Sequence, residues 1–282
     1  MENNDSFWGS TDFAYTCLID NKRTSAFREA IMQTVKKGNI VVDAGSGTGI
    51  LGLFALEAGA SHVTFIEYDS ILCHSIEQSL RESIYDQDQY TILNEDVLTV
   101  DLHQKIDVII CEMIATALID EMQIPALRHL RKFAHESTKY IPVGIENFAD
   151  LVFDNDEFYG HKLHIIRYEY CGYAKDQSWQ PESFTEPEKY LSVDFSKPNI
   201  SDEVNTSIQF KIIKNGSING LRIRNNSILS PNIYLDNSLA YCMPIILPLQ
   251  TRNVKAGEEY ECTMHYKICG GLQNLRYAIV RH

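Results

Sequence analysis

The chain has no apolar run long enough to cross a bilayer as a helix, no low-complexity tract and no CxxC pair. Its seven cysteines (Cys17, Cys73, Cys111, Cys171, Cys242, Cys262, Cys269) are odd in number and scattered. That argues against a disulfide framework or a zinc site, so no metal is expected, only free thiols buried in a reducing cytoplasm. Residues 1–12 are polar and acidic and lack the charged-then-apolar pattern of an export leader, so a cytoplasmic location is expected. Basic residues are short as well. Against 38 Asp and Glu there are 25 Lys and Arg, a net charge of −13. A nucleic-acid binder would need a basic footprint, so neither nucleic acid nor membrane is an expected partner. The same charge would attract a cationic substrate by long-range steering.

What is present is an ordinary globular composition, 44% hydrophobic and 22% charged over 282 residues, enough for one large or two modest domains. Phe27, Ala30, Ile31 and Val35 recur at helical spacing, and the basic turn Lys36-Lys37 before Gly38 marks a helix end. Short apolar strands follow at 40–43, 62–67, 90–93 and 107–111, alternating with helices at 50–58 and 70–83. That alternation predicts an α/β, Rossmann-like parallel sheet. After Tyr140-Ile141-Pro142 the pattern changes to β segments at 147–153, 162–170, 207–213, 220–224, 243–249 and 259–268, separated by turn signals such as Asn215-Gly216. The expected organisation is an N-terminal helical segment over 1–38, a parallel-sheet domain over 39–141 and a second, all-β domain over 142–282.

The turn Asp43-Ala44-Gly45-Ser46-Gly47-Thr48-Gly49 follows the first strand and opens a helix. Glycine suits a sharp turn that a ligand must approach closely. By itself such a turn is shared by many nucleotide sites and can be mere packing. Here Asp43 precedes the first glycine, Glu67 ends the next strand where it can accept from two ribose hydroxyls, and Asp96, with Val97 beside it, follows the third strand at an adenine edge. A carboxylate at Asp43 would repel the pyrophosphate of a nicotinamide dinucleotide. It suits the cationic S-adenosyl-L-methionine, the expected cofactor.

The fourth strand runs into Glu112, and Glu121 lies nine residues on. Two carboxylates facing one pocket could grip a planar cation through paired N–H···O bonds. Equally, Glu112 could cap a helix and Glu121 lie on a solvated face.

With those residues in view, the chain resembles the protein arginine methyltransferases over nearly its whole length. Glu112 and Glu121 match the spacing of that family's paired-glutamate loop. Asp20-Asn21-Lys22-Arg23-Thr24 matches its motif before the first strand, and Val42 to Leu51 and Ala58 to Glu67 match as well. The resemblance implies a barrel-like second domain, a guanidinium-bearing acceptor gripped by Glu112 and Glu121, and Arg23 on the cofactor's carboxylate. It also implies a homodimer through an arm, for which residues 155–190 are the candidate. Three departures stand out. Leu239-Ala240-Tyr241 replaces the family's Thr-His-Trp loop, Thr116 stands where a tyrosine is common, and Phe7-Trp8 with Phe13 replace paired tyrosines. Met113 and Tyr241 are the expected lining of the acceptor pocket. An arginine in a protein or peptide and a small guanidine both remain open as acceptors. So do a non-guanidine amine or hydroxyl, and a catalytically silent binding role.

Overall fold

The computed structural model describes residues 11–169 and 180–282. The Phe7-Trp8 pair and the centre of the 155–190 segment therefore lie outside the described residues. Helices α1 (Thr11–Ile19) and α2 (Asn21–Thr34) come first. Helix α2 begins before the apolar repeat because Asp20 caps it, its carboxylate accepting from the Arg23 amide at 3.2 Å. Then follow β1 (Ile40–Ala44), α3 (Ile50–Glu57), β2 (His62–Ile66), α4 (Ser70–Arg81), β3 (Tyr90–Leu93), β4 (Ile106–Cys111), α5 (Gln123–Leu130) and β5 (Ala134–Ile141). The strands form one parallel sheet in the order β3-β2-β1-β4-β5. β1, β2 and β4 are buried over all but one residue each because helices cover both faces.

Two elements of this half escape a reading of apolar periodicity. Pro125 interrupts the pattern of α5, yet it sits in the first turn, where a missing N–H costs little. β5 is an edge strand, mostly polar, whose burial is confined to Thr138, Tyr140 and Ile141.

Beyond Pro142 the pairing turns antiparallel. The strands are β6 (Gly144–Phe153), β7 (Glu157–Phe158), β8 (His161–Lys162), β9 (Arg167–Tyr168), β10 (Glu182–Ser183), β11 (Glu188–Asp194), β12 (Glu203–Lys211), β13 (Gly216–Ser230), β14 (Ile233–Leu235), β15 (Ile245–Val254), β16 (Glu259–Lys267) and β17 (Arg276–Arg281). One sheet runs β10-β6-β13-β15-β9, with β11 also on β6 and β14 on β13. A second sheet runs β12-β16-β17, and β11 lies against β12, so the two wrap into a barrel-like unit. The single strand expected at 162–170 is instead broken. Its first residues close a hairpin with β7, and only Arg167 and Tyr168 rejoin the main sheet.

Helix α2 joins the halves, packing on α3 on one side and on β13 and β14 on the other. Asp20 and Arg23 therefore sit at the seam between parallel sheet and β region.

Candidate active site

The carboxyl ends of β1, β2 and β4 bring Asp43, Glu67 and Glu112 to one crest, at the point where the strand order reverses between β1 and β4. The glycine turn lies across it. Gly45, Gly47 and Gly49 all have positive φ, at 68°, 54° and 78°. Gly45 also needs its bareness, because a Cβ there would fall 3.2 Å from the Met113 sulfur. The Gly45 and Ser46 amides donate to the Ile66 carbonyl at 2.9 and 3.0 Å. Glu67 straps the turn from the other side: its Oε2 accepts from the Gly47 amide at 2.7 Å and its Oε1 from the Asp69 amide at 2.9 Å. Each oxygen keeps a lone pair for a further donor. Asp43 is buried and accepts from the Gly52 amide at 2.8 Å. Burial pushes its carboxyl up to about 7, Glu67 adding to the rise and the Gly52 bond opposing it. Glu67 is raised too, by burial first, against its backbone N–H bonds.

Arg23 reaches this crest from α2. Its Nε donates to Glu112 Oε2 at 3.0 Å, and a second guanidinium nitrogen pairs with the same oxygen. The cation lies 5.3 Å over the Phe27 ring, and among the described residues Nη1 donates only to the Cys17 carbonyl, at 3.4 Å. Burial works against its charge, and Glu112 outweighs burial, so Arg23 holds its proton more tightly than usual. The resemblance assigned Arg23 to the cofactor's carboxylate; here its guanidinium lies on Glu112, with Nη1 the nitrogen left to reach another anion.

Glu121 lies at the far end of the loop that leaves β4. Its carboxylate has no hydrogen-bond partner among the described residues. Burial pushes its carboxyl well above the ordinary range, Glu112 and Asp120 push further, and Arg23 opposes them. Glu112 and Glu121 are thus electrostatically coupled, Glu112 held by Arg23 and Glu121 without a hydrogen-bond partner among the described residues.

Residues 22–145 match the ribosomal protein L11 methyltransferase (PrmA) family. An uncharacterized protein of Methanothermobacter thermautotrophicus is 31% identical over 96% of this chain and 98% of its own length. The histone-arginine methyltransferase CARMER of Drosophila persimilis is 31% identical over 48% of this chain, which is 26% of that protein. A solved structure, the Trypanosoma brucei PRMT1 enzyme-prozyme heterotetrameric complex with AdoHcy, superposes with a TM-score of 0.77. It covers 98% of this chain and 99% of the other at 16% identity, a likeness of fold. Together these make the chain an arginine methyltransferase-like class I enzyme. Its cofactor is S-adenosyl-L-methionine.

The methyltransferase's crest fits that cofactor better than a dinucleotide. Asp43 and Glu67 hold amides at the helix opening where a pyrophosphate would lie, and the turn lacks a Cβ at 45, 47 and 49. Asp96, half-buried after β3, accepts from the Leu98 amide at 2.8 Å through Oδ1, which begins the turn that carries Val97. Met113 lies against Gly45, between the glycine turn and the acid loop. Tyr241 is 1% exposed, its hydroxyl donating to Ser227 Oγ at 2.6 Å and its ring edge-on to Phe27 at 6.2 Å. It stands behind Arg23 rather than as an open wall.

Two supporting residues were missed from sequence. Gln123 closes the acid loop, its Oε1 accepting from the Met113 amide and its Nε2 donating to the Cys111 carbonyl, both at 2.8 Å. A glutamine buried at the start of an otherwise apolar helix face was the available signal. Asp20 has a second task, accepting from Ser238 Oγ at 2.6 Å and the Ala240 amide at 2.9 Å. The segment in place of the Thr-His-Trp loop is thereby docked on α2, a contact no local spacing reveals.

Proposed function

We propose that this methyltransferase transfers the methyl group of S-adenosyl-L-methionine to a guanidinium nitrogen, in a protein, a peptide or a small arginine-like compound. The observation that carries this reading is the electrostatic coupling of Glu121 to Glu112, with Glu112 already holding one guanidinium, that of Arg23. In this reading Asp43, Gly45, Gly47, Gly49, Glu67, Asp96 and Val97 hold the cofactor, with Arg23 spanning its carboxylate and Glu112. Met113 borders the acceptor pocket, and Tyr241 backs Arg23 from the interior instead of lining it.

When bound, the cofactor supplies an electrophilic methyl on a sulfonium. Guanidinium is a poor nucleophile because its lone pairs are delocalised. Glu112 and Glu121 would orient one nitrogen toward that methyl and draw positive charge onto the others. The new N–C bond forms as the S–C bond breaks, and the nitrogen's proton passes to Glu121, whose burial favours its protonated form, or to water. Ala240, in place of the family's loop histidine, offers no proton relay.

One observation favours a second reading. Arg23 occupies an oxygen of Glu112, which leaves Glu121 as a single free carboxylate, sufficient to orient or deprotonate an amine or hydroxyl. Labelled cofactor offered with guanidines, amines and peptides, and the products identified by mass spectrometry, separates the two. Product on an amine or hydroxyl alone would defeat the guanidinium reading.

A cytoplasmic setting is part of the proposal, supported by the free cysteines at 17, 73, 111, 242, 262 and 269. Among the described residues no helix is long and apolar enough to cross a membrane. Self-association through 155–190 is proposed from the resemblance. Tyr159, Leu163, Ile165, Ile166 and Tyr168 are exposed there, a composition suited to an interface.

A further inference from the structure

The loop carrying Glu112 and Glu121 has a conformation its own residues do not favour. Ala117 (φ 62°), Leu118 (φ 55°) and Glu121 (φ 58°) are all left-handed, and none is glycine. Such backbone persists only where the surroundings over-determine it. The surroundings here are the last hairpins of the β region. Tyr266, fully buried in β16, donates its hydroxyl to the Ala117 carbonyl at 3.0 Å. The turn after it adds the Cys269 amide on the Leu118 carbonyl at 2.9 Å and the Gly271 amide on the Ile119 carbonyl at 2.7 Å. On the other flank Thr116 Oγ1 donates to the Met243 carbonyl at 2.7 Å, and the Cys242 thiol contacts the Ile114 carbonyl at 3.3 Å.

We propose that Tyr266 is a positioning residue for methyl transfer. Its hydroxyl, through the Ala117 carbonyl, fixes the left-handed turn that aims Glu121 at the acceptor, so the C-terminal hairpin is a working part of the site. This rests on the reading of Glu112 and Glu121 as the acceptor's grip. Without the hydroxyl, the Ala117 carbonyl loses its bond, the Cys269 and Gly271 amides alone oppose relaxation of the turn to negative φ, and Glu121 moves relative to Glu112. The Tyr266 hydroxyl bonds to no residue of the glycine turn, nor to Glu67 or Asp96, so cofactor affinity should not follow.

The test compares full-length Tyr266→Phe with Tyr190→Phe. Both keep the ring and lose only the hydroxyl, and the Tyr190 hydroxyl is paired with that of Tyr266, at 3.5 Å, rather than with the loop. Hydrogen exchange is followed at the amides of Leu118, Ile119, Cys269 and Gly271. Methyl transfer from labelled cofactor is followed with free arginine, agmatine and an arginine-containing peptide, with Glu121→Gln as reference. In Tyr266→Phe those amides should exchange at least about tenfold faster, and kcat should fall about 10- to 100-fold, the sensitivity expected of a misplaced reacting group. Cofactor Kd should hold within about threefold, and Tyr190→Phe should match wild type throughout. Unchanged exchange in Tyr266→Phe overturns the proposal with no acceptor needed. Faster exchange with an unchanged kcat, or an equal loss in Tyr190→Phe, overturns it too. A Glu121→Gln variant at the wild-type rate would sink the underlying reading and the Tyr266 role with it. A slow Glu121→Gln beside an unchanged Tyr266→Phe sinks the positioning role alone.

Discussion

Replacing Glu112 and Glu121 one at a time by glutamine should move folding stability in opposite directions, although both changes remove one carboxylate from one loop. The Arg23 and Glu112 side chains are 7% and 10% exposed, so their pairing is barely screened by solvent. Breaking a buried pair by removing one partner costs about 3–5 kcal/mol. Glutamine retains an acceptor for the Arg23 Nε–H, which lowers the expected loss to about 2–4 kcal/mol. Glu121 has the reverse balance. Burial and two neighbouring acids raise its carboxyl, so the folded chain binds a proton there more tightly than the unfolded chain does. Wild-type stability from this group is complete below the ordinary value of 4.5 and is lost as pH rises through the raised folded value. Glutamine carries no such loss. Glu121→Gln should therefore be more stable than wild type at pH 8 by at least about 1 kcal/mol, the least expected of a buried charge without a partner. The gap should close toward about pH 4.5. Urea denaturation of cofactor-free protein across that range measures both changes. A Glu121→Gln protein less stable than wild type at pH 8, or a gap that widens on acidification, refutes the electrostatic account. If the pair also grips the acceptor, each variant should lose about 10²–10³ in methyl transfer, and the opposite stabilities exclude unfolding as the common cause.

Glu67→Ala removes the strap on Gly47 as well as an acceptor for the cofactor, and titration calorimetry should show cofactor affinity lower by about tenfold to a hundredfold. Unchanged affinity would remove Glu67 from the site. Asp43→Asn keeps an acceptor for the Gly52 amide but needs no proton. With the native carboxyl raised by burial from 3.8 to about 7, wild type loses stability between those pH values, and the variant should be ahead by up to about 4 kcal/mol at pH 8 and level near pH 4. Denaturation midpoints that do not separate with pH would contradict it. Sedimentation velocity at tens of micromolar, a range set by ordinary interface affinities, should show self-association weakened by Tyr159→Ser with Ile165→Ser. A wild-type protein that sediments as a monomer there rules out a stable dimer.

What could be read from the chain divides by the range of the interaction. Each parallel strand from 40 to 111 was legible because its signal is local: a short, largely apolar run, ended in all but β3 by an acid or a glycine. The crest of Asp43, Glu67 and Glu112 followed, since the carboxyl ends of parallel strands must gather on one side of the sheet. Helix α5 and strand β5 were not legible, because Pro125 and the polar run of an edge strand carry no periodic signal. The strand at 162–170 was over-read for the opposite reason: Leu163, Ile165 and Ile166 are apolar but exposed, so composition mimicked burial that the fold does not provide.

The pairing of Arg23 with Glu112 shows why the site was less legible than the fold. Both residues were singled out, each for a different ligand, yet their contact joins positions 89 residues apart. No spacing rule reaches that far. The same holds for Asp20 with Ser238 and for Ala117 with Tyr266, which span 218 and 149 residues. These contacts share a cause. Helix α2 and the acid loop both lie at the seam, so every polar group there must find its partner in the other half or remain unpaired in the interior. An arginine beside a carboxylate is one way to satisfy both groups before any ligand arrives. In the proposed site it would also link the two substrates, because a cofactor carboxylate that recruits the Arg23 Nη1 acts on the same guanidinium that holds Glu112. Cofactor and acceptor affinities coupled through Arg23 must be coupled reciprocally. The guanidinium would then serve as the common support of both proposed sites.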